Sequence, residues 1–208
     1  MKTIKSKKIP WLTRVIPNVH YDHRGEYVET WNSLIYAGIR DITFLQDDIS
    51  TSKHGVLRGL HGDYKTWKLI QCLKGEIFVA VVDFRMKPKG YKGRKPYDQE
   101  ELFYDKSRII ECGSTWGNIE TFILNDKNRN QLLIPPGCAN GHQVISAEDC
   151  IFSYKQSTLY EGADKQFTLL WNDEVLNINW PIKDPILSSR DSNGLTMQNI
   201  YDNLIENK

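Results

Sequence analysis

Apolar and polar positions along the chain change character about every ten residues, and most apolar runs are short. Lys68-Leu69-Ile70-Gln71-Cys72-Leu73 passes through Lys74-Gly75 into Glu76-Ile77-Phe78-Val79-Ala80-Val81-Val82-Asp83. The β-branched second arm and the glycine at the junction predict a hairpin. Gln131-Leu132-Leu133-Ile134 is stopped by Pro135-Pro136-Gly137, a strand running into a turn. Val144-Ile145-Ser146, Cys150-Ile151-Phe152-Ser153-Tyr154 and Phe167-Thr168-Leu169-Leu170-Trp171 extend the series. Helical periodicity is confined to Trp31–Gly38 and the tail after Leu195. Many short strands divided by Gly, Pro and Asn turns predict an all-β fold, an antiparallel barrel or jelly roll with a few short helices. No internal repeat and no Pro/Ser linker divides residues 1–208, so one domain is the simplest expectation, with 192–208 as a C-terminal tail.

Composition narrows the partners. The 208 residues are 40% hydrophobic, enough for a packed core without disulfides or metal. Lys+Arg 27 against Asp+Glu 26 leaves a net charge of +1, which speaks against a dedicated nucleic-acid binder. No apolar run approaches the ~20 residues of a membrane helix. The basic start Met1–Lys8 is followed by Ile9-Pro10-Trp11-Leu12, which is no signal-peptide core. Cys72, Cys112, Cys138 and Cys150 are widely spaced and read as reduced, mostly buried thiols of a cytoplasmic protein.

The stretch 86–111 breaks the strand pattern. Five of the nine residues from Lys87 to Lys95 are basic, and Asp98, Glu100 and Glu101 follow. An exposed loop between strands is the plain expectation; a lid or a contact to nucleotide phosphates is the sharper one.

Chemistry concentrates in three places. Arg58, His61, Asp63 and Lys68 fall within the eleven positions 58–68, with His61 between Leu60 and Gly62. A strand histidine is more often a packing residue than a catalyst, but this density of charge favours a cavity. On a regular strand His61 and Asp63 face the same side. With His142 they would match the two-His-one-carboxylate pattern of iron oxygenases, a short motif with frequent chance matches. Such an oxygenase needs a basic side chain beyond the second His, and Lys155 is the candidate before Arg190. Pro135-Pro136-Gly137-Cys138-Ala139-Asn140-Gly141-His142 reads as a turn reversing a strand. Tyr154 and Trp171 read, taken alone, as packing residues.

Taken in order, these clusters resemble the dTDP-4-dehydrorhamnose 3,5-epimerase family. The landmarks are Asp22-His23-Arg24-Gly25 with Glu29, Gln46-Asp47, Val56-Leu57-Arg58-Gly59-Leu60-His61, Lys68-Leu69, Gly75-Glu76-Ile77 and Asp83-Phe84-Arg85. Ile134-Pro135-Pro136-Gly137, Tyr154-Lys155, Trp171-Asn172-Asp173, Trp180-Pro181 and Leu187-Ser188-Ser189-Arg190-Asp191 complete them. The resemblance implies a cupin-like jelly-roll barrel and a cofactor-independent, metal-free isomerase acting on a nucleotide-linked 4-keto sugar for surface polysaccharide. It implies His61 as general base, Asp173 as the carboxylate orienting it, Lys68 at the enolate oxygen and Tyr154 as general acid. Tyr160 would line the sugar pocket, and Arg24, Glu29, Gln46 and Arg58 would hold the nucleotide, phosphates or sugar, with Asn140 and His142 also on the substrate. A homodimer is implied, in which N-terminal strands carrying Arg24 and Glu29 complete the partner's site. His61-Gly62-Asp63-Tyr64-Lys65-Thr66-Trp67-Lys68 and Asn140-Gly141-His142 look more like the branch acting on GDP-linked 4-keto-heptoses or related sugars.

The chemistry suits these residue types. A carbon acid beside a ketone needs a base that is neutral near pH 7, and imidazole backed by a carboxylate meets that need. An ammonium in a partly dry pocket stabilises the enolate oxygen. A phenol can return the proton from the opposite face, provided nearby positive charge lowers its pKa from about 10. A 3,4-keto-isomerase on the same substrate class, an iron oxygenase and a non-catalytic sugar-binding cupin are the alternatives.

Overall fold

A computed structural model describes residues 1–93 and 110–206. In chain order the strands begin with β1 (Lys2–Lys5), β2 (Thr13–Ile16), β3 (Val19–Asp22), β4 (Gly25–Val28) and β5 (Gln46–Ser52). They continue with β6 (Leu57–Gly62), β7 (Lys68–Lys74), β8 (Glu76–Asp83), β9 (Met86–Pro88) and β10 (Ile110–Cys112). The last are β11 (Ile119–Asn125), β12 (Gln131–Ile134), β13 (Cys138–Val144), β14 (Cys150–Gln156) and β15 (Phe167–Thr168). Among the described residues the α-helices are α1 (Ser33–Ala37), α2 (Ser189–Ser192) and α3 (Met197–Glu206); α1 and α3 fall where helical periodicity is legible, and α2 lies outside it. The side-chain oxygen of Asn32 starts α1 by accepting from the amides of Leu34 and Ile35.

Among the described residues the strands form two main sheets, ordered β1-β2-β12-β7-β14-β5 and β11-β8-β13-β6-β15, with two separate ribbons. The ladders within the sheets are antiparallel, as expected for the all-β, cupin-like jelly roll. Ile70, Cys72, Leu132 and Ile134 of the first sheet meet Ile77, Val79, Val81 and Leu124 of the second in one buried cluster. Truncating one such branched side chain to alanine typically costs ~2–5 kcal/mol. Cys72, Cys138 and Cys150 are buried and Cys112 half-buried, all with free thiols.

Two expected local features differ. β7 and β8 are not a hairpin. Gly75 (φ +81°) turns the chain from one sheet into the other, so β7 pairs with β12 and β14, and β8 with β11 and β13. Both arms carry apolar rows, and facing them across the core buries them better than setting them side by side. The reversal at Pro135–Gly137 is also shorter than expected. Cys138–Val144 is already strand, which puts Asn140 and His142 on β13. Around 86–111, Met86–Pro88 and Ile110–Cys112 form a two-stranded ribbon in which Lys87 pairs with Glu111 at 2.9 Å. Arg94, Lys95, Asp98, Glu100 and Glu101 lie outside the described residues.

The bulge between β6 and β13 shapes the cavity. Asn140 lies opposite His61, but His142 lies opposite Arg58, so two steps on one strand span three on the other. Arg58 and His61, an odd number of residues apart, would face opposite sides of a regular strand. Here both line one cavity. Gly59 (φ +122°) occupies the irregular position, where a Cβ would come within 2.5 Å of Gly141 Cα and 2.8 Å of the Asn140 carbonyl. Gly59→Ala is therefore expected to destabilise the fold by about 1–3 kcal/mol or more. Urea unfolding measures this; an unchanged midpoint would show that the bulge tolerates a side chain.

Candidate active site

Between the sheets lies a cavity of about 350 Å³. β6 contributes Arg58 and His61, β13 Asn140 and His142, β7 Lys68 and Ile70, and β14 Phe152, Tyr154 and Gln156. Tyr160, Gln166, Ser188, Arg190 and Asp191 complete the lining, with Ser50 from β5.

His61 Nε2 is 2.6 Å from Asp191 Oδ1. Expected to orient His61, Asp173 does not. Its Oδ1 accepts from the amides of Val175 and Leu176 and its Oδ2 from Met197 N, so the carboxylate ties a turn to the start of α3. Asp191 reaches His61 because the chain from 186 to 195 is fastened at both ends, by parallel bridges Val56–Ile186 and Leu169–Leu195. Gly194 permits the close approach, since a Cβ there would meet the Leu169 backbone at 2.6 Å. Ser188 caps α2, accepting from Asp191 N and donating to Asp191 Oδ2. That reciprocal Ser-x-x-Asp arrangement is a helix-start signature readable in the sequence, and it could have singled out Asp191.

The electrostatics favour a neutral imidazole. Burial pulls His61 below its ordinary value, and Arg190 and Lys68 add to this against the opposing pull of Asp191. Burial pushes the Asp191 carboxyl up, but hydrogen bonds from His61 and Ser188 outweigh it and hold the group below its usual range. With Nε2–H donating to the carboxylate, Nδ1 is the nitrogen left to take a proton.

Lys68 is buried, with Nζ 3.8 Å from Asp63 Oδ2. Burial lowers its pKa and Asp63 partly restores it. Asp63 also accepts from the amides of Lys65 and Thr66. It therefore lies beyond β6, bonded to Lys68 and a turn, not alongside His61 as a regular strand would have it. Tyr154 is half-buried, and its phenol is raised above the ordinary value, chiefly by burial, then by Asp48 and Tyr160; Arg58 opposes. The expected net lowering by positive charge is thus reversed, because desolvation and carboxylate outweigh one guanidinium. Lys155 points away from the cavity to Asp47, at 2.6 Å.

Of the other expected residues, Arg58 is held by Ser52 Oγ at 2.9 Å. Gln46 holds the loop carrying Tyr160, its side-chain oxygen accepting from Tyr160 N. Asn140 Oδ1 and His142 Nε2 are buried without a hydrogen-bond partner among the described residues. Arg24 and Glu29 are not brought to this cavity. Arg24 sits on the exposed β3–β4 ribbon against Asp22 (2.6 Å), and Glu29 accepts from Asn32. Sequence reasoning missed Arg190, which donates to Thr168 Oγ1 and Gln166 Oε1, together with Gln156, Gln166 and Ser50.

The family described as dTDP-4-dehydrorhamnose 3,5-epimerase matches residues 6–98 and 109–199. The chain is 33% identical over 199 residues to the dTDP-4-dehydrorhamnose 3,5-epimerase of Shigella flexneri, covering 93% of this chain and 94% of that one. It is 32% identical over 198 residues to that of Salmonella typhimurium, covering 92% and 93%. Its fold matches the crystal structure of a dTDP-6-deoxy-D-glucose-3,5-epimerase from Legionella pneumophila in complex with dTDP-4-keto-L-rhamnose. The TM-score is 0.80 at 29% identity, over 98% of this chain and 96% of that one.

The His61–Asp191 pair has a direct spectroscopic consequence. Proton titration followed by NMR is expected to place His61 below 6.5, and Asp191→Asn is expected to move it lower still, because the carboxylate stabilises the imidazolium. Since the unfolded state then binds the proton more readily, His61 weakens the fold as pH falls through about 6.5. A rise in the Asp191→Asn variant would contradict the pairing.

Proposed function

This chain belongs to the dTDP-4-dehydrorhamnose 3,5-epimerase family, and on that premise we propose that it inverts C3, C5 or both in a nucleotide-linked 4-keto-6-deoxy sugar. The observation that carries the reading is the convergence of the His61–Asp191 pair, Lys68 and Tyr154 on one cavity. His61 takes the proton from a carbon flanking the ketone. Asp191 is the positioning residue, fixing the tautomer and favouring the imidazolium that forms. Charge moves to the C4 oxygen, where the Lys68 ammonium, kept charged with the help of Asp63, compensates it in a largely dry site. Tyr154, protonated at neutral pH, gives a proton to the opposite face. Burial keeps the phenol loaded with its proton but makes it a weaker acid, and Arg58 is the cation that opposes this and eases release of the proton. Regeneration requires solvent to reprotonate Tyr154 and remove the proton from His61. No step calls on a metal or redox cofactor.

The relatives are named for dTDP sugars, which favours dTDP as the nucleotide over the GDP-linked heptoses suggested by two sequence stretches. Arg58, Gln46, Tyr160, Asn140 and His142 are assigned to the substrate. Arg24 and Glu29 are assigned to the site of a second copy in a homodimer. Their separation from this chain's own cavity supports that, as do the exposed Tyr21 and Tyr27 on the same ribbon. Residues 1–208 form a single catalytic domain in this reading. Cytoplasmic placement is in keeping with it; no helix among the described residues is long and apolar enough to cross a membrane.

In deuterium oxide with dTDP-4-keto-6-deoxyglucose, the enzyme is expected to place deuterium at C3 or C5 while the ketone stays at C4. His61→Asn is expected to lose this exchange by about 10²–10⁴-fold, the usual worth of a general base. Tyr154→Phe is expected to keep exchange but lose inversion. A ketone found at C3 would make the enzyme a 3,4-keto-isomerase, and undiminished exchange in His61→Asn would remove His61 as base.

A further inference from the structure

Two buried polar atoms on the cavity wall take no part in the proton transfers. Asn140 Oδ1 and His142 Nε2 have no hydrogen-bond partner among the described residues. Both residues line the cavity, and they stand two apart on β13, the spacing that sets side chains on one face of a strand. His142 is only 4% exposed, and its ring stacks on Phe152 at 4.1 Å with an interplanar angle of 19°. The stack holds the ring plane against Phe152.

A second base is the obvious role to test against this geometry, and the surroundings argue against it. Burial, helped by Arg58 and His61, pushes His142 down to about 3, so the ring stays neutral at any working pH and is a feeble proton acceptor. Among the described residues no carboxylate is hydrogen-bonded to it as Asp191 is to His61. What remains is a neutral hydrogen-bonding group of fixed orientation beside an amide oxygen that can only accept. A hydroxyl complements both. Its O–H donates to Asn140 Oδ1, and its oxygen accepts the Nε2–H of the matching His142 tautomer. A methyl or methine at the same place would seal two desolvated polar atoms with nothing to bond, the costliest arrangement for a buried donor or acceptor.

We propose that Asn140 and His142 form a subsite for one hydroxyl of the sugar, and that His142 makes the site discriminate against a sugar lacking it. This rests on the epimerase reading for the identity of the ligand as a nucleotide sugar. It adds which wall reads the sugar and what it reads. A site built to hydrogen-bond a hydroxyl rejects the deoxy analogue far more strongly than an apolar pocket rejects an added hydroxyl.

Calorimetric binding of ligands without a ketone tests this apart from turnover. The probes are dTDP-glucose and GDP-glucose, each with its analogues lacking the hydroxyl at C2, C3 or C6. The native protein is expected to bind one deoxy analogue at least about tenfold more weakly than its parent. His142→Phe keeps an aromatic ring on Phe152 and is expected to bring that one ratio to within about twofold, leaving the other ratios as they were. His142→Gln, which restores a polar group, is expected to recover part of the discrimination, and thermal melting confirms that each variant is folded. Equal binding of every analogue by the native protein, a uniform shift across the series in His142→Phe, or no binding of either parent would overturn the subsite. Discrimination that persists while deuterium exchange is absent would sink the epimerase reading and leave the subsite standing.

Discussion

One hydrogen bond joins the two ends of this fold's chemistry, that from His61 on a central strand to Asp191 in the C-terminal tail, 130 residues later. A histidine inside a barrel is pulled towards neutrality by desolvation, which makes it available as a base but leaves its tautomer and orientation undefined. The carboxylate supplies both, and the capping hydroxyl of Ser188 holds the carboxylate in turn. The remainder of the site is arranged around that pair. The Gly59 bulge turns Arg58 into the same cavity, and β7 and β14 bring Lys68 and Tyr154 to it from the other sheet.

The polarity of the cavity is graded to suit. Lys68 lies deepest among the cations and keeps one carboxylate, Asp63, at 3.8 Å, so its charge is moderated without being neutralised by close contact. Tyr154 is weighed towards the phenol by burial and Asp48, against Arg58. Base and acid therefore rest in the protonation states that the first half-reaction needs: an empty imidazole nitrogen and a loaded phenol. Burial acts on both and favours the neutral form of each, which for imidazole is the form with a free nitrogen and for phenol the form with its proton.

The sequence pattern made the strands legible because alternation and turn glycines are local properties. It could not say that Gly75 is a corner between sheets, since hairpin and crossing share the same alternation, and only the common burial of both inner rows decides. His61, Lys68, Arg58 and Tyr154 were recognisable from local motifs that the fold brings together. The choice of Asp191 over Asp173 as the orienting carboxylate is not legible locally for a related reason. Asp173 and Asp191 both follow β15, and what separates them is the tail's path, set by two isolated bridges and the close approach at Gly194. Pro135-Pro136-Gly137 gives Asn140 and His142 the local signature of turn residues, but the strand already begins at Cys138. Arg24 and Glu29 had no destination within one chain, because nothing in this chain's cavity reaches them.

Exchange kinetics of Asp191→Asn and Asp173→Asn, compared side by side with thermal melting, test the central claim most directly. Asp191→Asn is expected to melt close to the native protein yet lose solvent-deuterium exchange into the 4-keto sugar by about 10²-fold or more. Asp173→Asn is expected to melt earlier, through its loosened turn, while each folded molecule exchanges at nearly the native rate. The reverse pattern, with exchange lost at Asp173 and kept at Asp191, would contradict the claim.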